Sequence, residues 1–176
     1  MRKHWYVIQV FRGKEDFFVE RLKGNEEFLA FVPKRVLILK RKDSIKKAYE
    51  PLFPGYVFIA SDKDYISFNS FYYQSVKMID GSIRILKHKE DVEALYPHER
   101  EMIERFINKD YIIEVSNGYI EGDKVRIVDG PLIGQESHIV KINRHKRTAW
   151  IEISLLGEKR SIELSCDIIA KMDAIN

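Results

Sequence analysis

Cysteine is nearly missing from this chain. Cys166 is the one thiol in 176 residues, which excludes an internal disulfide framework and a multi-cysteine zinc site. Long apolar runs are missing as well. No stretch approaches the ~20 residues of a membrane-spanning helix, and Met1-Arg-Lys-His-Trp5 leads into an apolar segment too short for a signal peptide. The sequence therefore predicts a cytoplasmic, monomeric chain with no membrane anchor. Charge of one sign is not in excess: 30 Lys and Arg oppose 27 Asp and Glu, a formal net charge of +3. That is too mild to prove a nucleic-acid partner. Its distribution says more. Residues 1–109 hold 21 basic and 16 acidic side chains (+5), whereas residues 110–176 hold 9 and 11 (−2).

Catalytic constellations are absent too. The five histidines, His4, His88, His98, His138 and His145, are dispersed, with no His-x-x-x-His or Glu-x-x-His pair on one helix. Cys166 could be a nucleophile only with a distant histidine, and reads better as a small apolar residue in a β wall. Gly130-Pro-Leu-Ile-Gly134 superficially resembles a phosphate loop, but no Gly-Lys-Ser/Thr follows and no helix is predicted there. Neither an enzyme, nor a cofactor, nor a metal site is expected.

What is present divides in two. Trp5–Phe11 reads as a buried strand, and Lys14–Lys23 as an amphipathic helix with Phe17, Phe18 and Leu22 inward. Arg35–Lys40 and Tyr56–Ala60 read as strands, with the charged stretch Arg41–Lys47 as a solvated hairpin tip. Asp62–Phe71 is weakly helical. Lys77–Ile79 and Ser82–Leu86 could pair about the Asp80-Gly81 turn, and Glu90–Ile107 reads as helix interrupted by Pro97. Beyond Asn108 the pattern becomes short strands and turns: Lys124–Val128, Ser137–Ile142, Ala149–Leu155 and Ser161–Leu164. The prediction is an α+β fold: an antiparallel sheet flanked by helices over 1–108, a linker over 109–120, and a small all-β barrel over 121–176.

Three stretches resemble the NusG family of transcription elongation factors. Trp5-Tyr-Val-Ile-Gln9 is similar to its opening strand, and Glu50-Pro-Leu-Phe-Pro-Gly-Tyr-Val-Phe58 to its Phe-Pro-Gly-Tyr signature. Gly122-Asp-Lys-Val-Arg-Ile-Val-Asp-Gly-Pro131 is similar to the start of its C-terminal KOW barrel. The resemblance implies a factor that lies on the clamp helices of RNA polymerase's largest subunit and suppresses pausing. It implies polymerase contacts at Phe53, Tyr56 and Phe58, with Gln9 beside them. Val57 and Ile59, which alternate with these, are expected in the core. It further implies a surface toward upstream or non-template DNA carrying Arg12, Lys14, Arg21 and Lys23. Such cations neutralise phosphates without reading sequence.

Departures from the general factor look like those of the specialised paralogs, RfaH and above all LoaP, which act on selected operons. The barrel reads Asp129-Gly-Pro-Leu132 where the general factor has Asp-Gly-Pro-Phe, and Ser137 stands at a later glycine position. Leu155-Leu-Gly-Glu158 replaces Ile-Phe-Gly-Arg, the segment that reaches Rho or a small-subunit ribosomal protein. A lost ring and a reversed charge make Rho an unfavoured partner. The β-branched residues Val125, Ile127, Val128, Ile139, Val140 and Ile142 favour a stable barrel over a helical hairpin. Asn143-Arg-His-Lys-Arg147 forms a cationic loop in a net-acidic segment. Arg144, His145, Lys146 and Arg147, widened by Lys141, Lys159 and Arg160, would suit a hairpin in the nascent transcript. The expected function is operon-specific processive antitermination. The alternative is a general NusG-type factor coupling polymerase to Rho or the ribosome.

Overall fold

A computed structural model describes residues 2–41, 44–89, 94–122 and 124–172. The chain begins with β1 (His4–Val10), α1 (Glu15–Leu22), β2 (Phe28–Phe31), β3 (Lys34–Arg41), β4 (Ser44–Pro51) and β5 (Tyr56–Ser61). Helix α2 (Tyr65–Phe71), β6 (Ser82–Leu86), α3 (Pro97–Phe106) and β7 (Ile112–Ile113) follow. The rest is β8 (Ser116–Glu121), β9 (Lys124–Asp129), β10 (Ile139–Asn143), β11 (Thr148–Leu155) and β12 (Glu158–Met172). The α+β expectation holds, and among the described residues all regular structure beyond α3 is made of strands apart from a short 3-10 turn at Glu136–His138. The start of the last predicted helix (Glu90, Val92) and Lys42, Asp43 and Asp123 lie outside the described residues.

The chain forms two compact units that exchange segments along the sequence. The first comprises Met1–Pro33, Pro51–Glu101 and Leu155–Glu158; the second comprises Lys34–Glu50, Met102–Ser154 and Lys159–Asn176. The first unit is built on a sheet of order β2-β5-β1-β6 in which each neighbouring pair is antiparallel. Alternation along β1 sends Tyr6, Ile8 and Val10 to one face, where they join Phe18 and Leu22 of α1 and Phe68 of α2 in a buried cluster. Tyr6 lies flat on Phe68, ring centroids 3.8 Å apart. Helix α1 starts on Glu15 and Asp16 and ends on Arg21, charges placed to favour the helix dipole. Helix α2 is capped by Asp64, whose carboxylate accepts the Ser67 N–H at 2.9 Å. That bond to the backbone holds the Asp64 carboxyl below the usual carboxylate range. A π-turn over Tyr72–Val76 continues α2. Lys77–Ile79 is consequently not a strand: β6 pairs with β1, and the Asp80-Gly81 turn links it to the helix end. Phe17, expected inward, is 39% exposed. Pro97 opens α3 as its first residue, where its missing N–H costs nothing.

The second unit contains a sheet of order β10-β11-β12-β8-β9 and a smaller one of order β4-β3-β7. β8 runs parallel to β12 and antiparallel to β9. Of the charged stretch expected as a hairpin tip, Arg41 ends β3 and Ser44–Lys47 open its sheet neighbour β4, an edge strand that leaves Lys46, Lys47 and Glu50 exposed. Most of the stretch expected as linker is β7 and β8. Arg35 on β3 donates to the Glu163 carbonyl and pairs with Glu50 at 3.3 Å, and the Ser165 hydroxyl donates to the Val36 carbonyl at 2.7 Å.

Candidate functional site

The signature turn is held by a buried carboxylate at the start of α1. Glu15 is buried, and its Oε1 accepts the Gly55 N–H at 2.6 Å. The Gly55 carbonyl in turn accepts the Val10 N–H at 2.8 Å. Gly55 sits at φ +87°, and a Cβ there would stand 3.2 Å from the Val10 carbonyl oxygen. Phe-Pro-Gly-Tyr thus encodes a turn locked onto β1 and α1.

The aromatics around this turn do not form the exposed patch expected of them. Phe58 is fully buried and Phe53 is 8% exposed. Phe58 packs on Phe31, Phe53 and Trp5, with ring centroids 5.7, 5.9 and 6.3 Å away. Both faces of β5 are covered, so Phe58 is as deep as Val57 and Ile59, which are core as expected. Tyr56 alone of the three stays half-exposed, opposite Gln9 in the β1–β5 register. Gln9 Oε1 accepts from the exposed Arg84 Nε at 3.0 Å.

Arg12, Lys14, Arg21 and Lys23 are all exposed, beside the exposed rings of Phe11 and Phe17. Lys14 and Arg21 lie over the Phe17 ring, 5.1 and 5.2 Å from its centroid. This explains why Phe17 tolerates solvent: its π face carries two cations. Lys14 also pairs with Asp80 at 3.2 Å, and Lys23 with Glu20.

In the second unit, the cationic turn is ordered by its own chain. Asn143 Oδ1 accepts the Lys146 N–H at 3.0 Å, and Arg147 adopts φ +53° to close the turn. Arg144, His145 and Lys146 point to solvent. Arg147 does not share their freedom: its guanidinium meets Asp167 at 2.9 Å, and its carbonyl accepts the Cys166 N–H. It is an anchor for the turn, a correction to its expected place among the free cations. Lys141 lies over Trp150, 5.1 Å from the ring centroid, and Lys159 stands 3.8 Å from Glu152. Arg160 is exposed. Trp150 was not singled out from sequence, although alternation with buried Ala149 and Ile151 turns it outward.

The Leu155–Glu158 turn belongs to the first unit, and it is held inside it. Leu155 and Leu156 are buried, and the Gly157 N–H donates to Glu99 Oε1 at 2.8 Å. Glu99 Oε2 accepts the Tyr96 N–H at 3.0 Å and stands 3.2 Å from His88 Nε2. Both His88 and Glu99 are buried. Leu156 and Gly157 both have positive φ, +53° and +73°, the form of a tight hairpin turn.

Burial pushes the Cys166 thiol up to about 11, with Asp167 adding to the shift, so it stays protonated at neutral pH. Among the described residues no group of three or more His, Cys, Asp or Glu side chains could hold a metal ion. Among them, too, no helix is long and apolar enough to cross a membrane.

Residues 3–120 match the family model described as transcription termination factor nusG. Similar curated proteins include three called transcription termination/antitermination protein NusG. That of Lactococcus lactis subsp. lactis is 25% identical, over 97% of this chain and 94% of its own. That of Vibrio vulnificus is 22% identical over 98% and 97%, and that of Streptococcus pyogenes 23% over 97% and 97%.

Proposed function

The chain belongs to the NusG family of transcription termination and antitermination proteins, and within that family we propose that it is an operon-specific elongation and processive antitermination factor. It acts in the cytoplasm as a monomer, binds the clamp helices of the largest RNA polymerase subunit, and suppresses pausing and termination. Tyr56 and Gln9 supply accessible contact there. Phe53 and Phe58 shape the surface from beneath. Upstream or non-template DNA runs along Arg12, Lys14, Arg21 and Lys23, and a nascent RNA hairpin recruits the protein through Arg144, His145 and Lys146.

The observation that carries the operon-specific reading is the turn at 155–158. Leu-Leu-Gly-Glu stands where the general factor presents Ile-Phe-Gly-Arg, and Leu156 is buried. A buried aliphatic offers no ring to Rho, and Glu158 reverses the sign of the partner-facing charge. A second reading, the general factor, is favoured by the name shared by relatives that align over nearly their whole length.

One assay separates the two: transcription by purified polymerase across a terminator, with the full chain and with or without Rho. Readthrough is expected, reduced in Tyr56→Ala through weaker polymerase binding. An Arg144→Ala, Lys146→Ala double variant should bind leader RNA at least about tenfold more weakly, with a shallower salt dependence. Stimulation of Rho-dependent termination by the full chain would overturn the operon-specific reading.

A further inference from the structure

We propose that Trp150 and Lys141 form a stacking site for an unpaired base of RNA, placed beside the cationic turn. The inference rests on the RNA-recruitment reading and names the atoms that would hold the nucleic acid once it arrives. Along β11, Ala149, Ile151 and Ile153 are buried, so strand alternation directs the Trp150 indole away from them. It remains half-exposed.

Its neighbour across the sheet is the second part of the argument. Lys141 on β10 pairs in register with Trp150, and its ammonium lies over the indole face, 5.1 Å from the centroid. In the free protein, therefore, an exposed cation lies over the ring. An ammonium can swing aside to a phosphate and leave the π face to a base.

Position supplies the third part. Ile142 pairs with Ala149 and Asn143 with Thr148, so the cationic turn begins two rungs from the Lys141–Trp150 pair. Two residues of strand span about 7 Å, close to one nucleotide step of extended backbone. Arg144 and Lys146 are exposed at that turn, and the turn is fixed by Asn143 and by the Arg147–Asp167 pair. The acidic residue next outward on β11, Glu152, is balanced by Lys159. The arrangement offers cations for the phosphates of a stem and, one step away, an aromatic face for a base that leaves the stack. A splayed loop base is what single-stranded RNA readers place on such rings. A perfect duplex has none to give.

The test uses the full chain at low salt and two probes: a short stem-loop RNA with a purine-rich loop, and the same stem closed as a blunt duplex. Trp5 is buried and gives a constant fluorescence background. Adding the stem-loop should quench Trp150 emission, and the quench should vanish in Trp150→Phe. Trp150→Leu should weaken stem-loop binding by at least about fivefold and duplex binding by less than about twofold. Lys141→Met should weaken both probes and lower the salt slope. Trp150→Phe preserves an aromatic ring and should keep most of the affinity, which separates lost stacking from lost folding. Salt-sensitive binding of the stem-loop with no quench, and with Trp150→Leu unchanged, would overturn this site while leaving RNA recruitment intact. No binding of either probe by the full chain would overturn both.

Discussion

Two glycine turns in the first unit are held in the same way, and the difference between them is instructive. In each, a buried glutamate in the first turn of a helix accepts the glycine N–H: Glu15 of α1 for Gly55, Glu99 of α3 for Gly157. Each glycine has positive φ, which an L side chain adopts only under strain. Glu15 accepts the Gly55 N–H across 40 residues of sequence. Glu99 reaches 58 residues, and also accepts the Tyr96 N–H and faces His88. The first lock fixes a motif within its own neighbourhood. The second gathers a loop, a helix start and a distant hairpin at one carboxyl group.

That comparison can be broken by mutation. Glu99→Ala should have the largest effect, because two backbone donors lose their acceptor and His88 its partner. A loss of about 2–5 kcal/mol is expected, measured by urea unfolding of the full chain. A change below about 1 kcal/mol would mean the Gly157 turn is held by burial of Leu155 and Leu156 alone. Glu15→Ala removes one acceptor and should cost about 1–3 kcal/mol in the same measurement; a cost equal to that of Glu99→Ala would make the two locks equivalent. The glycines themselves sharpen it. Gly55→Ala and Gly157→Ala should each cost roughly 1–2 kcal/mol. Gly55→Ala should cost the more, because its Cβ would crowd a backbone carbonyl, whereas at Gly157 the neighbour is a side-chain atom of His88. The reverse order, read from thermal melts of the two variants, would show the His88 pocket to be the stiffer of the two.

The sequence made some of this legible and hid the rest for identifiable reasons. α1 and β5 lie within a residue or two of their expected bounds, since Phe18 and Leu22, and Val57 and Ile59, carry strong periodic signals. Phe58 misled because alternation was read as core against solvent. That reading fails where both faces of a sheet are covered. β4 was hidden by its charge: Ser44–Pro51 has lysines where a central strand would have branched apolar residues, and only an edge position tolerates them. At the candidate sites, the exposed cations Arg144 and Lys146 were readable from composition. Arg147 was not, because its partner Asp167 is remote in sequence. Glu15 and Glu99 were invisible for the same reason. A buried acceptor for a distant N–H leaves no local pattern.

The exchange of segments between the units has a consequence for the order of folding. The chain passes from one unit to the other at residues 33, 50, 101, 154 and 158. Neither unit is a continuous stretch, so neither is complete when its first half leaves the ribosome. The Arg35 and Val36 bonds close loops of 128 and 129 residues. Closures of this span slow folding, because chain entropy is lost before the contacts form. Glu99 waits for Gly157, and β3 waits for Ser165. The first unit is completed only at Leu155–Glu158 and the second only by the segment from Lys159 onward, so a nascent chain stalled before this last hairpin holds two partial structures and no finished one.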